Sequence, residues 1–277
     1  AGESTAVVAD DFAYFGLDTC AGCGLCSTGC PVGIDTGELT RLLRGRGLGS
    51  ASQQVGKVVG QHFGKVATLS RVGISVGHGA AKVVGSGLLN KLSGGVWKKT
   101  MPQAGRPPQA GPIQQARSSG GDPVVYFPTC GARIFGGNTS DEASLADVVM
   151  ALLVRAGFAP RLPEGFEKLC CGLMLASKGM AEEADAMSDA LTTALLAAAD
   201  NGQGGTYPII LDASSCSARM QKLLAGRVQL LDFHEFAVDA LLPRLNHRMH
   251  KKPGPIALHI NCSARRTGTF EKLRTLL

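Results

Sequence analysis

Four cysteines fall within eleven residues, Cys20-Ala-Gly-Cys23-Gly-Leu-Cys26-Ser-Thr-Gly-Cys30, and Pro31 follows at once. Five more, Cys130, Cys170, Cys171, Cys216 and Cys262, bring the total to nine in 277 residues. An odd count with one dense cluster makes a poor disulfide framework, because neighbours two residues apart cannot all pair with one another. A chain of this length, 44% hydrophobic and 18% charged, also has ample apolar material for a core and no need of staples. The opening residues, Ala1-Gly2-Glu3-Ser4, lack the basic-then-apolar layout of a signal peptide. The expectation is therefore a reducing, cytoplasmic compartment, where clustered thiols serve metals or redox chemistry.

The spacing of the first four has a physical reason. C-x2-C-x2-C-x3-C-P is the run that binds iron–sulfur clusters in bacterial ferredoxins. A cubane offers several iron corners a few ångströms apart, and a tight glycine-containing loop lets successive thiolates reach different irons. Gly22 and Gly24 permit the dihedrals and the close approach of amide groups to sulfur, and Pro31 turns the chain away. A zinc site expects two cysteine pairs separated by a finger. Where two clusters occur, the fourth cysteine of such a run serves the other cluster. Cys20, Cys23 and Cys26 would then share one cluster, with Cys30 given to a second whose partner run this sequence does not contain.

Charge is segregated along the chain. Residues 1–40 carry six carboxylates and no Lys or Arg, residues 41–121 carry twelve Lys/Arg and no carboxylate, and residues 122–277 carry sixteen of each sign. The middle stretch is thus suited to an anionic neighbour. No charge-free apolar run approaches the ~18 residues that span a bilayer.

These divisions match the local patterns. Residues 1–50 hold the cysteine run, and Asp35-Thr36-Gly37-Glu38 opens a helix carrying Leu39, Leu42 and Leu43. Residues 51–100 read as one or two glycine-interrupted helices with a stripe of Val55, Val58, Val59, His62, Phe63 and Val66. Residues 101–121, rich in Pro, Gly, Gln and Ser, read as a linker. From 122 to 277, strands alternate with helices. The strands expected are Val124–Phe127, Pro208–Leu211 and Ile256–Ile260. The helices expected are one opened by Thr139-Ser140-Asp141-Glu142 and stopped at Gly157, one over Ala181–Ala199, a helical region ending near Leu245, and a last helix. Such alternation argues for an α/β layer fold with a mostly parallel sheet.

An internal repeat runs through this last part. Tyr126-Phe-Pro-Thr-Cys130-Gly-Ala-Arg133-Ile-Phe-Gly136 aligns with Leu258-His-Ile-Asn-Cys262-Ser-Ala-Arg265-Arg-Thr-Gly268, offset by 132 residues. The first copy continues to Cys170-Cys171-Gly172, whereas the sequence ends before a second such triplet. With no Met at position 1 and half a repeat at the end, the expectation is a piece of a longer protein. Cys130, Cys216 and Cys262 each follow an expected strand closely, which in a parallel sheet gathers them at its carboxyl edge, with Cys170 and Cys171 arriving on a loop. Any one could be an ordinary core cysteine; five in this arrangement point to a metal or redox site.

Taken together, TCAGCGLCSTGCPVGIDTG (19–37), YFPTCGARIFG (126–136), CCG (170–172), DASSC (212–216) and LHINCSARR (258–266) resemble the C-terminal iron–sulfur portion of the FAD-linked D-lactate dehydrogenase and glycolate oxidase family. More distantly they are similar to the Cys-Cys-Gly subunit of heterodisulfide reductase. The resemblance implies an α-helical ferredoxin-like segment followed by an α/β Cys-Cys-Gly domain whose second repeat is incomplete. It implies 4Fe-4S clusters on Cys20, Cys23, Cys26 and Cys30, and metal ligation by Cys130, Cys170, Cys171, Cys216 and Cys262. It also implies FAD in an N-terminal flavin domain or in a separate flavin subunit. The substrate it implies is a 2-hydroxy acid, and the electron acceptor is a quinone or cytochrome. No catalytic acid or base is identified in this sequence. One departure stands out. The family motif ends in Cys-x-x-Cys, whereas Cys216-Ser-Ala-Arg219 and Cys262-Ser-Ala-Arg265 end in arginine, which disfavours a noncubane cluster.

Other signals are weaker. The basic stretch suits either an anionic lipid surface, placing the protein peripherally at the inner face of a membrane, or packing against a flavin domain. Few aromatics interleave with its charges, so nucleic acid is not expected as a partner. Gly60-Gln-His-Phe-Gly64-Lys65 is one residue short of a phosphate loop. His234, Glu235 and His259 read as ordinary helix and strand residues. Arg133 and Arg265, beside cysteines, would either offset thiolate charge or form surface ion pairs. The alternatives to the dehydrogenase portion are an iron–sulfur component of a heterodisulfide-reductase-like complex and a structural zinc module.

Overall fold

The structure, a computed structural model, describes residues 11–108, 120–137, 142–245, 254–255 and 257–275. Its first half is helical: α1 (Phe12–Asp18), α2 (Cys26–Gly29), α3 (Thr36–Gly47), α4 (Ser50–Gln61), α5 (Phe63–Val84) and α6 (Ser86–Leu92). Asp35 opens α3 as expected, its carboxylate accepting from the backbone N–H of Gly37 and Glu38 at 2.8 and 3.3 Å. Leu39 and Leu42 are exposed, so that helix face is not core.

The stripe expected from Val55 to Val66 is split. The chain leaves helical geometry at His62, and α5 starts afresh with Phe63 buried while Val55 and Val58 face outward. Glycines bring these helices close to the rest of the molecule. A methyl at Gly45 would meet the carbonyl oxygen of Gly179 at 2.6 Å, and one at Gly64 would meet the Lys168 side chain at 2.9 Å. Phe63 and Ala67 of α5 share a core with Cys170, Leu175, Ala184 and Met187.

The second half is built on β1 (Asp122–Phe127), β2 (Phe158–Arg161), β3 (Ile209–Leu211) and β4 (Leu230–Asp232), all parallel, in the order β2-β1-β3-β4. Between and after them run α7 (Cys130–Ile134), α8 (Leu145–Arg155), α9 (Leu173–Ala176), α10 (Ala181–Ala199), α11 (Ser214–Leu224) and α12 (Phe233–Phe236, with further turns to Arg244). α13 (Cys262–Thr267) and α14 (Phe270–Thr275) close the described chain. Strand side chains alternate between two layers. Val125, Phe127, Ile209 and Leu211 pack on Leu191, Leu195, Met220 and Leu224 of α10 and α11. Val124, Tyr126 and Ile210 pack on Val149, Met150 and Leu153 of α8. A parallel sheet covered on both faces needs such continuous apolar strands. The expected mixed α/β class with a parallel sheet is therefore observed.

The elements differ from expectation in four places. β2 and β4 were not expected; Phe-Ala-Pro-Arg carries a proline, and Leu-Leu-Asp is too short to show alternation. Ala257–Ile260 forms no strand, and Ala257, Leu258 and His259 are exposed, with Ile256 outside the described residues. The expected linker is ordered at its start. Gly105 N–H donates to the Ile134 carbonyl at 2.8 Å and Gly136 N–H to the Gln103 carbonyl at 2.7 Å, so this stretch lies antiparallel to the end of α7; residues 109–119 lie outside those described. Finally, α8 starts at Leu145, capped by the Ser144 hydroxyl, which accepts from Asp147 N–H at 3.1 Å. Of the capping residues expected upstream, Thr139–Asp141 lie outside the described residues.

Candidate metal centres

The carboxyl edge of the sheet carries a row of four thiols. Cys130 begins α7 just after β1, and Cys216 lies in the first turn of α11 just after β3. Cys170 and Cys171 enter between them on the loop before α9. Cys170 Sγ lies 3.6 Å from Cys130 Sγ, and Cys171 Sγ lies 3.1 Å from Cys216 Sγ. Cys170 and Cys171 touch each other, so the row runs Cys130–Cys170–Cys171–Cys216. Cys170, Cys171 and Cys216 are buried. The glycine of the Cys-Cys-Gly triplet has a clear role. Gly172 has φ +73°, and a methyl there would overlap the Ala184 carbonyl oxygen and lie 2.9 Å from its carbonyl carbon. Only glycine lets the loop lie against α10 in this conformation.

As free thiols Cys130, Cys170 and Cys171 are held protonated. The Cys130 thiol is pushed up by its hydrogen bond to Cys170 and then by burial. Cys170 is favoured as a thiolate by its contact with Cys130, but contact with Cys171 and burial outweigh this and push it up to about 11. Backbone N–H groups of Gly131, Gly172 and Leu173 approach the sulfurs of Cys130, Cys170 and Cys171, each favouring the thiolate. Arg133 does not form a surface ion pair. It is 3% exposed; its Nε donates to the Pro128 carbonyl at 3.0 Å and Nη2 to the Leu169 carbonyl. Its charge stabilises thiolates at Cys130 and Cys170.

Arg219, three residues after Cys216, is held by hydrogen bonds. Its Nε donates to the Cys171 carbonyl at 2.8 Å and to Ser188 Oγ at 3.0 Å, and Nη2 pairs with Asp185 at 2.9 Å.

The N-terminal run lies on its own stretch of chain before α3. Gly22 and Gly24, with φ +58° and +72°, fold the loop back on itself. Backbone N–H groups point at its sulfurs: Gly22 at Cys20 (3.4 Å), Thr36 and Gly37 at Cys26, and Val32, Gly33 and Ile34 at Cys30. The Thr36 hydroxyl donates to Cys26 Sγ at 3.0 Å. That hydroxyl, followed by the amides, lowers the Cys26 thiol, and the Ile34 amide leads the lowering at Cys30.

Two arginines of α3, which the sequence did not single out, hold this loop. Arg41 Nη1 donates to the Gly22 carbonyl at 2.6 Å. Arg44 donates to the carbonyls of Leu17, Cys20 (2.7 Å) and Ser177 (2.6 Å), so a single guanidinium joins the Cys20 loop to the turn after α9. Their only sequence signal was position, one helical turn apart in the helix that follows the run.

Cys262 does not join the row at the sheet edge. With no strand before it, it begins α13 at the surface, with its thiol against that of Cys23, and this contact raises the Cys262 thiol. Arg265 is exposed, unlike its repeat partner Arg133. The repeat survives only as a local turn. Both copies place the cysteine at the start of a short helix, bury the alanine two residues on, and bond the arginine N–H to the carbonyl before the cysteine.

Two further polar pairs line the sheet edge. The Tyr126 hydroxyl donates to Asp212 at 2.7 Å, and Thr129 N–H donates to the same carboxylate at 3.0 Å; burial pushes the Asp212 carboxyl up. Asp232, at the end of β4, caps α12 and pairs with His234 in its first turn, whose Nδ1 lies 2.5 Å away. That hydrogen bond holds His234 above its usual value. His259 is exposed, as an ordinary surface residue would be.

Soft thiol donors, amide N–H groups aimed at sulfur and a neighbouring buried cation are the donor set an anionic iron–sulfur cluster needs. Among the described residues, no three His, Cys, Asp or Glu side chains converge as they would on a single metal ion, and no helix is long and apolar enough to cross a membrane. Comparison of the chain with protein-family models, with curated proteins and with solved structures finds no match.

Proposed function

We propose that this chain is an electron-transfer module carrying iron–sulfur clusters at two adjoining thiol sites. One is held by Cys20, Cys23, Cys26 and Cys30, the other by Cys130, Cys170, Cys171 and Cys216. The observation that carries this proposal is the Arg44 bridge, which fastens the Cys20 loop to the turn six residues after Cys171. Electron transfer between centres falls off steeply with distance, and a fixed short spacing is what a relay needs.

A cluster at either site supplies reversible one-electron storage without proton chemistry. The protein's own groups do the rest. Amides at Cys20, Cys26 and Cys30 stabilise negative charge on sulfur, Arg133 adds a buried positive charge at Cys130 and Cys170, and core side chains keep water from the Cys171–Cys216 end. The wider role rests on the motif set. Electrons would arrive from FAD in a separate flavin domain that oxidises a 2-hydroxy acid of the D-lactate or glycolate type, and leave for a quinone or cytochrome.

The test is electron paramagnetic resonance of the anaerobically reconstituted, dithionite-reduced chain. Cys23→Ser and Cys171→Ser should each abolish or alter one part of the signal and leave the other. A wild-type chain without a reducible cluster signal, or two variants with identical spectra, would overturn the two-site proposal.

A further inference from the structure

The long helix α5 has two apolar faces, and among the described residues only one is packed into a core. Phe63, Ala67 and Ile74 face inward, the first two on the core that contains Cys170. On the opposite side Leu69, Val72, Val76 and Val83 stand 69, 54, 65 and 85% exposed. Their spacing of three, four and seven residues puts them in one line at 3.6 residues per turn. Lys65 continues this line toward the start of the helix. The following segment adds Leu88, Leu92 and Val96, also exposed. It turns back through Trp97, which fills the notch left by Gly77 and packs edge-on to His78 at 4.9 Å, so α5 and α6 form one hairpin.

A helix apolar on both faces calls for a partner on its outer side, and the charge around it says which kind. Residues 41–121 include Lys57, Lys65, Arg71, Lys82, Lys91, Lys98 and Lys99, and not one carboxylate. A second copy binding through this same face would bring like charge against like. A surface of exposed leucine and valine set among cations fits one partner directly, a bilayer rich in anionic headgroups. There the apolar ridge enters the acyl boundary and the cations meet phosphate.

We propose that the α5–α6 hairpin docks this chain on anionic membranes, with Leu69, Val72, Val76 and Val83 as the inserted ridge. The surface argument is independent of any cluster. Only its consequence rests on the function proposed above: with Phe63 and Ala67 against Cys170 on the inner face, one helix would separate the sheet-edge thiols from the lipid.

The test is co-sedimentation of the full chain with phosphatidylglycerol vesicles and with phosphatidylcholine vesicles. Salt-sensitive binding to the first and little to the second is expected, with or without bound iron, so loss of clusters cannot mimic failure. Lys65→Gln combined with Lys82→Gln should weaken binding about thirtyfold, at ~1 kcal/mol per cation. Leu69→Gln combined with Val76→Gln should weaken it on the order of a hundredfold. All four positions are exposed, so circular dichroism and the melting temperature should match the parent. Absence of binding, equal binding to both vesicles, ridge variants that bind like the parent, or a stable lipid-free dimer that buries the ridge would each overturn the proposal.

Discussion

Replacing Gly172 by alanine separates two contributions that the structure locates at one residue. The first is conformational: at φ +73° a side chain costs roughly 1–2 kcal/mol. The second is steric. The new methyl would overlap the Ala184 carbonyl oxygen and sit 2.9 Å from both its carbonyl carbon and its Cα. Those are backbone atoms of α10, a nineteen-residue helix packed on the sheet, so they cannot move aside cheaply. Forcing a methyl into such a site adds roughly 1–3 kcal/mol. The total, about 2–5 kcal/mol, is a large share of the 5–15 kcal/mol by which domains are ordinarily stable. Gly165 is the control. It has a similar φ of +65° and open space where its methyl would go, so Gly165→Ala incurs only the conformational cost. Urea denaturation followed by far-ultraviolet circular dichroism should give Gly172→Ala a lower midpoint than Gly165→Ala. Equal midpoints would refute the close approach of the Cys-Cys-Gly loop to α10.

Three further outcomes are expected. Arg44→Met should lower the iron retained by the Cys20 loop while leaving the helical spectrum unchanged, and Arg44→Lys should not restore it, since an ammonium cannot reach three carbonyls at once. Arg133→Met should destabilise the chain by about 2–3 kcal/mol in urea melts, because the Pro128 and Leu169 carbonyls lose a charged donor. The Asp232–His234 pair should show opposing pH limits. The Asp232 hydrogen bond raises His234 on folding, so that contribution is full below about pH 6.5 and lost as pH rises through the folded value. Burial works against the Asp232 carboxylate, but His234 more than compensates and lowers it, so its share is present above the usual carboxylate range and lost on acidification. His234→Gln should therefore cost more stability near pH 6 than near pH 9, and an equal cost at both would contradict the assignment.

What could be read from the sequence follows from how local each signal is. The Asp35 cap, the Gly157 stop and the helix at Ala181–Ala199 depend on neighbours in sequence, and all recur in the structure. The grouping of Cys130, Cys170, Cys171 and Cys216 was legible because Cys130 and Cys216 follow apolar strands that become β1 and β3. Cys262 was misplaced by the same logic. Ala257–Ile260 has a strand's composition but no sheet edge to join, and composition cannot supply a partner strand. β2 and β4 escaped notice because short buried strands show no alternation. Arg41 and Arg44 escaped because their acceptors, including Ser177, are backbone carbonyls brought near by tertiary packing. Likewise, the break at His62 arises where α5 turns its Phe63 into the core around Cys170.

The central claim is that these thiols bind iron–sulfur clusters. Its most direct test is the quantity of iron, acid-labile sulfide and zinc per chain after anaerobic purification and reconstitution. Iron with matching sulfide is expected, in an amount beyond one cluster, reduced but not abolished by Cys23→Ser or by Cys171→Ser. Zinc without sulfide would contradict the account.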